Sequence, residues 1–358
     1  MKILFVYPYC DYKNDNPFVY TLVNGLKNNG CSVDCNIDSL WNNYEDYDII
    51  HFQWPESIFN WKSITEGDVD KLNDILIKLK SNNSKIVYTR HNDIPHYTTN
   101  VWCIKLYELL ENRSDAIIHL GKFSLNQIKN KSNDTVKHYI ILHHTYDEIY
   151  KTDIDIDNAR KELNIDNNKF VFLCFGAFRD DEERRMVINS FKELKYKNKL
   201  LLAPRFFKYK LDLKHPRSLI KGLFERIKFF PISRNMRLSS KFINNEMLPL
   251  YFISSNVIFL QRLNILNSGN IPLSFYFGKT VIGPNRGNVG ELLSETDNLT
   301  FDPLDTKSIK KTMEESIVKV FSGQGNKNKE FACENLRTKK IVNQLKQIYL
   351  ALLENDKK

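Results

Sequence analysis

Cysteine is sparse and unpaired in this chain: the six residues, at positions 10, 31, 35, 103, 174 and 333, form no CxxC motif. Scattered thiols exclude a disulfide scaffold or a zinc ribbon and predict free cysteines in a reducing cytoplasm. Long apolar runs are missing too. Without a stretch of roughly 20 apolar residues, no helix is expected to span a bilayer. The opening MKILFVYPYC has one lysine before a short apolar run and no small-residue cleavage site, so it reads as a first strand and not as an export signal. Carboxylates at DxD spacing are few. Asp68-Val69-Asp70 falls in a helical polar segment and Asp153, Asp155 and Asp157 in a polar linker, so both groups read as solvated charges and no metal is predicted.

The chain contains an alternation of strands and helices in two rounds. At 358 residues it exceeds the length at which one core stops growing, roughly 250 to 300, so two α/β domains are expected. Apolar residues at 42% and aromatics at 12% exclude disorder. Strand-like runs at 3–7, 49–52, 86–89, 116–119 and 139–142 define a first round, the pattern of a parallel sheet. The polar stretch 150–158 marks a boundary, followed by a short helix at 159–163. Strands at 170–175, 199–203, 257–260 and 280–282 define the second, with helical periodicity at 308–321 and 329–353. The expected division is 1–150, 151–340 and a C-terminal helix at 341–358.

The stretch NILNSGNIPLSFYFGKTVIGPNRGNVGELL, residues 264–292, carries the most chemistry. Asn267, Ser268 and Gly269, followed by Asn270, are placed to open a helix, where free backbone N–H groups and the helix dipole attract an anion. Gly278 would close that helix, 280–283 form a buried strand, and Glu291 would begin the next helix. The alternative is an ordinary αβ unit with a glycine-rich loop. In a parallel sheet, functional loops follow the carboxyl ends of strands, and two further motifs sit there. HFQWPE ends on Glu56, and HNDIPH contains His91, Asp93 and His96; all four are candidate catalytic groups. A purely structural reading stands beside each, with Trp54 and Pro55 packing a loop and His96 bonding backbone. Arg179, Arg205 and Arg262 each follow a strand of the second round, so they are candidates to converge on a phosphate.

Five segments in order, MKILFVYPYC with NPFVYTLVNGLKNNG, DIIHFQWPES, VYTRHNDIPH, FLCFGAFRDDEE and the 264–292 stretch, resemble GT-B glycosyltransferases of the bacterial family 4 type. The resemblance covers nearly the whole chain. It implies an α/β protein with two Rossmann-like domains whose parallel sheets face an interdomain cleft, the last helix crossing back to the first domain. It also implies a nucleotide-sugar donor, UDP or GDP, held without metal. Arg179 would contact the diphosphate beside Ser268 and Gly269. Glu183 would either orient Arg179 or simply begin a helix where acids suit the dipole. The family's two glutamates eight positions apart are absent, because their registers fall on Ile265 and Leu273 or on Leu266 and Ser274. Glu291 is the nearest acid that follows. The implied activity is sugar transfer to a saccharide, a lipid-linked intermediate of surface polysaccharide, with retention preferred. The rivals are a non-catalytic sugar- or partner-binding subunit and a nucleotide-sugar epimerase.

Charge is concentrated in one segment. Residues 205–241 hold eleven Lys or Arg against two acids, Asp212 and Glu225, an excess matching the net +9 of the whole chain. With Phe206, Phe207, Leu223, Phe224, Ile227 and Phe230 interleaved, it reads either as a basic amphipathic surface for the anionic inner face of the plasma membrane or as an insertion whose aromatics pack on the second domain. Nucleic acid is not expected, since no recognisable module accompanies the patch.

Overall fold

The structure, a computed structural model, describes residues 1–12, 16–93 and 100–354. Two units divide it: Met1–Ile149 with Asn335–Lys358, and Tyr150–Glu334. The first is built on β1 (Lys2–Val6), β2 (Ser32–Cys35), β3 (Ile49–Phe52), β4 (Lys85–Arg90), β5 (Ala116–His119) and β6 (Lys137–Ile140), in the spatial order β2-β1-β3-β4-β5-β6. The second holds β7 (Phe170–Leu173), β8 (Lys199–Ala203), β9 (Met236–Leu238), β10 (Val257–Phe259), β11 (Thr280–Pro284) and β12 (Leu299–Phe301), ordered β12-β11-β10-β7-β8-β9. All strand pairs within both sheets are parallel.

Continuous apolar runs make the central strands, since helices cover both faces of a parallel sheet. Every residue of β3, β5, β7, β10 and β11 is buried. Three strands go beyond the sequence reading, β2, β9 and β12. Each has three or four residues, lies at a sheet edge and is only partly buried, so no apolar run announces it.

The periodicity expected as one helix from 329 to 353 is broken into Gln324–Asn335 and Thr338–Glu354. The break has a local cause. Leu336 is fully buried and its carbonyl accepts from Thr145 N–H at 2.9 Å, while Asp147 Oδ1 accepts from both the N–H and the hydroxyl of Thr338, at 2.9 and 2.7 Å. Helix Thr338–Glu354 belongs to the first unit, where Tyr349 Oη meets His51 Nδ1 at 2.5 Å beneath β3. Among the described residues no helix is long and apolar enough to cross a membrane.

In each unit the chain builds outward from its first strand and then restarts on that strand's other side. The topological switch points therefore lie between β1 and β3, and between β7 and β10. Ligands of open α/β sheets bind beyond the carboxyl ends of the strands at such points.

Candidate functional site

At the second switch point the chain leaves β7 through Gly176, whose φ of +101° is a conformation that L side chains rarely adopt. Four residues on, Asp180 caps helix Asp181–Glu193 by accepting from Glu183 N–H at 2.8 Å. This turns the Glu183 carboxylate back under the loop, 1% exposed. One oxygen, Oε2, accepts from the backbone N–H of Arg179 and from Arg262 Nη1, both at 2.8 Å. Arg262, in the loop after β10, also donates through Nη2 to Ala177 O at 2.9 Å. Arg179 reaches the other way, with Nη1 donating to Asn264 O at 2.9 Å. The loops flanking the switch point are thus joined through one buried carboxylate. Burial raises its pKa, and the charge of Arg262 opposes that rise.

The next element locks onto the same loops. Gly269 caps helix Asn270–Tyr276, and Asn270 Nδ2 donates to Phe175 O at 3.0 Å. Buried Gln261 donates to Gly176 O at 3.2 Å, and Ser268 Oγ accepts from Asn270 N–H at 3.4 Å. Asn267 Oδ1 accepts from Asn288 Nδ2 at 2.7 Å. Gly287, at φ +57°, lies so close to this loop that a Cβ would stand 2.4 Å from Ile265 O and 2.7 Å from Leu266 Cα. Gly278 closes the helix at φ +63°.

The structure thus brings together Arg179, Glu183, Arg262 and the 267–270 loop. Glu183 stands in a first helical turn and meets Arg179 at its backbone N–H, while the Arg179 side chain is held by Asn264 O. Arg205 does not join the group: it is exposed, with its guanidinium 5.4 Å from the Phe242 ring. The three arginines follow adjacent strands, yet two converge and the third turns outward. Glu291 needs correction as well, because its helix is Gly287–Glu295 and the glutamate lies in the second turn, beyond the helix start. Of the positions of the missing glutamates, Leu266, Leu273 and Ser274 are buried and Ile265 is half-buried.

In the first unit, the loops after β1, β3, β4 and β6 bring an aromatic and histidine cluster together. His91 stacks on Trp54, ring centroids 3.8 Å apart, and meets Phe18 edge-on at 5.0 Å. Its Nε2–H donates to Gln53 Oε1 at 2.9 Å, which leaves the buried Gln53 Nε2 without a hydrogen-bond partner. His143 and His144 lie against the same Phe18 ring at 4.6 and 5.0 Å. Burial, with His143 and His51 nearby, holds His91 well below the usual histidine range. Burial likewise lowers His143 to about 4. The imidazoles are therefore neutral at physiological pH, and His91 here is a hydrogen-bonding group, not a cation.

The other candidates separate from it. Glu56 is buried and accepts from Tyr107 Oη at 2.8 Å, a contact that anchors the 3-10 turn Pro55–Phe59 on helix Val101–Arg113. Asp93 accepts from Gln127 Nε2 at 3.4 Å. His96 lies outside the described residues. Sequence reasoning passed over Gln53, His143 and His144, although their positions just past strand ends carried the same signal as His91. The two DxD groups cap helices: Asp68 completes a box with Thr65, and Asp155 accepts from Asp157 and Asn158 N–H. Among the described residues no group of three or more His, Cys, Asp or Glu stands ready to hold a metal.

No protein-family description and no curated relative matches this sequence. Solved structures do. Sucrose-phosphate synthase from Thermosynechococcus elongatus superposes with TM-score 0.75 at 14% identity, covering 99% of each chain. Anabaena HepE, solved with UDP and glucose, gives 0.71 at 13% identity over 98% of this chain and 100% of its own. A Listeria monocytogenes protein proposed as a UDP-N-acetylglucosamine 2-epimerase gives 0.57 at 9% identity over 96% and 94%. The chain has the GT-B architecture of two parallel-sheet units that these proteins share.

Proposed function

We propose that this chain is a metal-independent glycosyltransferase that moves a sugar from a nucleoside-diphosphate donor to a saccharide, a lipid-linked intermediate of surface polysaccharide. One observation carries the reading. At the switch point of the second unit, a buried carboxylate joins the two loops that bear Arg179 and Arg262, beside the Ser268-Gly269 turn.

Such a site suits a diphosphate leaving group. Sugar transfer breaks the bond between the anomeric carbon and the phosphate oxygen and forms one to an acceptor hydroxyl oxygen. Negative charge grows on the diphosphate as it leaves, and preorganised N–H donors and a guanidinium favour it there without reorganising. In the retaining course we propose, the acceptor proton passes to the departing phosphate oxygen, so no protein carboxylate is needed as base. That agrees with the burial of Glu56 against Tyr107. Neutral His91 and the Gln53 amide supply hydrogen bonds on the acceptor side. UDP and GDP are the proposed donor nucleotides. The ribose is bound without the usual glutamate, since Leu and Ser occupy its possible places.

Thermal unfolding against UDP, GDP, ADP, CMP and dTDP, with and without EDTA, tests the reading. A ligand at about 100 times its Kd adds roughly 2.7 kcal/mol to the folded state. The expected result is a chelator-insensitive rise with one nucleotide, lost in Arg179→Ala and in Ser268→Trp. No rise with any nucleotide would sink it in favour of a non-catalytic subunit. Product analysis with the nucleotide sugar, with and without acceptor, separates transfer from epimerisation.

A further inference from the structure

Helix Pro216–Lys228, inserted between β8 and β9, is turned inside out relative to an ordinary surface helix. Its polar side packs inward. Gly222 is its one fully buried residue, and a Cβ there would meet Lys210 O and Leu211 Cδ2 at 3.1 Å. Glu225 accepts from the backbone N–H groups of Lys208 and Tyr209, at 2.9 and 3.1 Å, and stands 3.6 Å from Arg184. Ser218 donates to Lys210 O, and Arg226 donates to Tyr209 O while lying over the Phe207 ring. The helix is therefore held by its small and polar residues. Phe206, Phe207 and Phe229 beside it belong to the unit's core.

Its apolar side faces solvent. Ile220, Leu223, Phe224 and Ile227 recur at helical spacing on one face and are 53, 46, 70 and 69% exposed. Leu213 before the helix and Phe230 after it are exposed as well, at 84 and 78%. Single exposed apolar residues are ordinary, but a contiguous patch of this size on one face marks an interaction site. Arg217 and Lys221 border it on the helix, and Lys214 follows Leu213 in the preceding loop. Both acids of the segment are engaged, Glu225 inward and Asp212 with His215 at 2.8 Å. Lys228 is paired with Asp181.

We infer that this face docks on an anionic lipid surface, its apolar side chains entering the acyl boundary and Arg217, Lys221 and Lys214 meeting the headgroups. The charge pattern selects this occupant. The rim is predominantly basic and surrounds an apolar face, a combination that an anionic leaflet satisfies at once, its headgroups meeting the cations and its acyl boundary the apolar side chains. Hydrophobic insertion and electrostatic attraction together make interfacial binding by such a helix strong enough to measure. The inference stands apart from the donor chemistry, since it uses no residue of that site.

Sedimentation of the full chain with phosphatidylcholine vesicles and with vesicles containing phosphatidylglycerol tests it. Binding is expected only to the anionic vesicles and is expected to weaken steeply with added salt. Each basic residue near an anionic surface contributes about a threefold to tenfold factor in partition, so Arg217→Glu with Lys221→Glu should lower it at least tenfold. Phe224→Ser with Ile227→Ser should lower it comparably without changing the salt dependence. Circular dichroism of both variants controls for folding, and the thermal shift with nucleotide keeps the donor reading separate. Equal partition of wild type and both variants, or none for the wild type, overturns the inference. So does concentration-dependent dimerisation abolished by Phe224→Ser with Ile227→Ser, which would make this face a contact between copies.

Discussion

Glu183 bonds to three things at once: the N–H of Arg179, the guanidinium of Arg262 and, through its own N–H, the Asp180 cap. Removing it has two separable consequences. Glu183→Ala leaves Arg262 partly buried without its counter-charge, and breaking a buried pair from one side costs about 3 kcal/mol or more. It also frees the backbone of Arg179, so nucleotide affinity should fall at least tenfold. Glu183→Gln keeps an acceptor oxygen for that N–H and should retain more affinity than stability. Urea unfolding and nucleotide titration of the two variants separate the effects; equal losses of affinity would show that the backbone contact is not what positions the site. Arg179 was legible from sequence because it follows a glycine turn after a strand. Its partner Glu183 was half legible, named with two readings, since an acid in a first helical turn is explained equally well by the dipole. Gln53, His143 and His144 escaped for a different reason: sequence shows that a residue ends a strand, but not which neighbouring strand it will meet.

Most strands legible in the sequence are buried ones, β6 being the exception, an edge strand with no buried residue that its 139–142 run still announced. The central strands are runs of Val, Ile, Leu and Phe, while β2, β9 and β12 carry one face to solvent and lack such runs. Helix pairing leaves a fainter trace. Gly25, inside helix Phe18–Asn28, lies where a Cβ would stand 2.5 Å from Val342 Cγ2 on helix Thr338–Glu354. Valine is stiff at χ1 and cannot swing aside, so Gly25→Ala should overpack the pair by about 1 to 3 kcal/mol. Against this, alanine in a helix interior is favoured over glycine by about 1 kcal/mol. The net effect is destabilisation in the wild-type background. In Val342→Ala the clash is removed and the same substitution should stabilise, so its sign reverses. A four-member unfolding cycle reads this directly, and additive effects of the two substitutions would mean that Gly25 and Val342 are not in contact.

At the scale of the molecule, two rounds of βα alternation were enough to give the architecture, because a parallel sheet needs a crossover for every strand and each crossover is visible as a helix. What periodicity could not show is how unevenly titratable groups are divided between the units. Seven of the eight histidines lie in the 1–149 part of the first unit, and only His215 lies in the second. Burial lowers His51 to about 3 and His119 to about 3, with His138 lowering the latter further, and it lowers His143 to about 4. His91 and His144 are pushed well below the ordinary value. Each of these is neutral when folded and gains a proton on unfolding once the pH drops below about 6.5. The unfolded state then binds more protons, so stability must fall with pH in that window, by up to about 1.4 kcal/mol per unit for each such group. The loss continues down to the folded pKa values of about 3 to 4 that burial sets for His51, His119 and His143. Burial raises the carboxyls of Glu56 and Glu148 in the same unit, so these two oppose the trend, against five imidazoles that burial lowers. All four tryptophans, at 41, 54, 61 and 102, also lie in the first unit, so their fluorescence reports on it alone. The urea midpoint read by fluorescence should therefore drop markedly from pH 7 to pH 5, while the far-ultraviolet midpoint, to which the helices of both units contribute, should drop less. A fluorescence midpoint unchanged over that interval would mean that the buried histidines are already protonated in the folded state, and with that the neutral imidazole assigned to His91 would be lost.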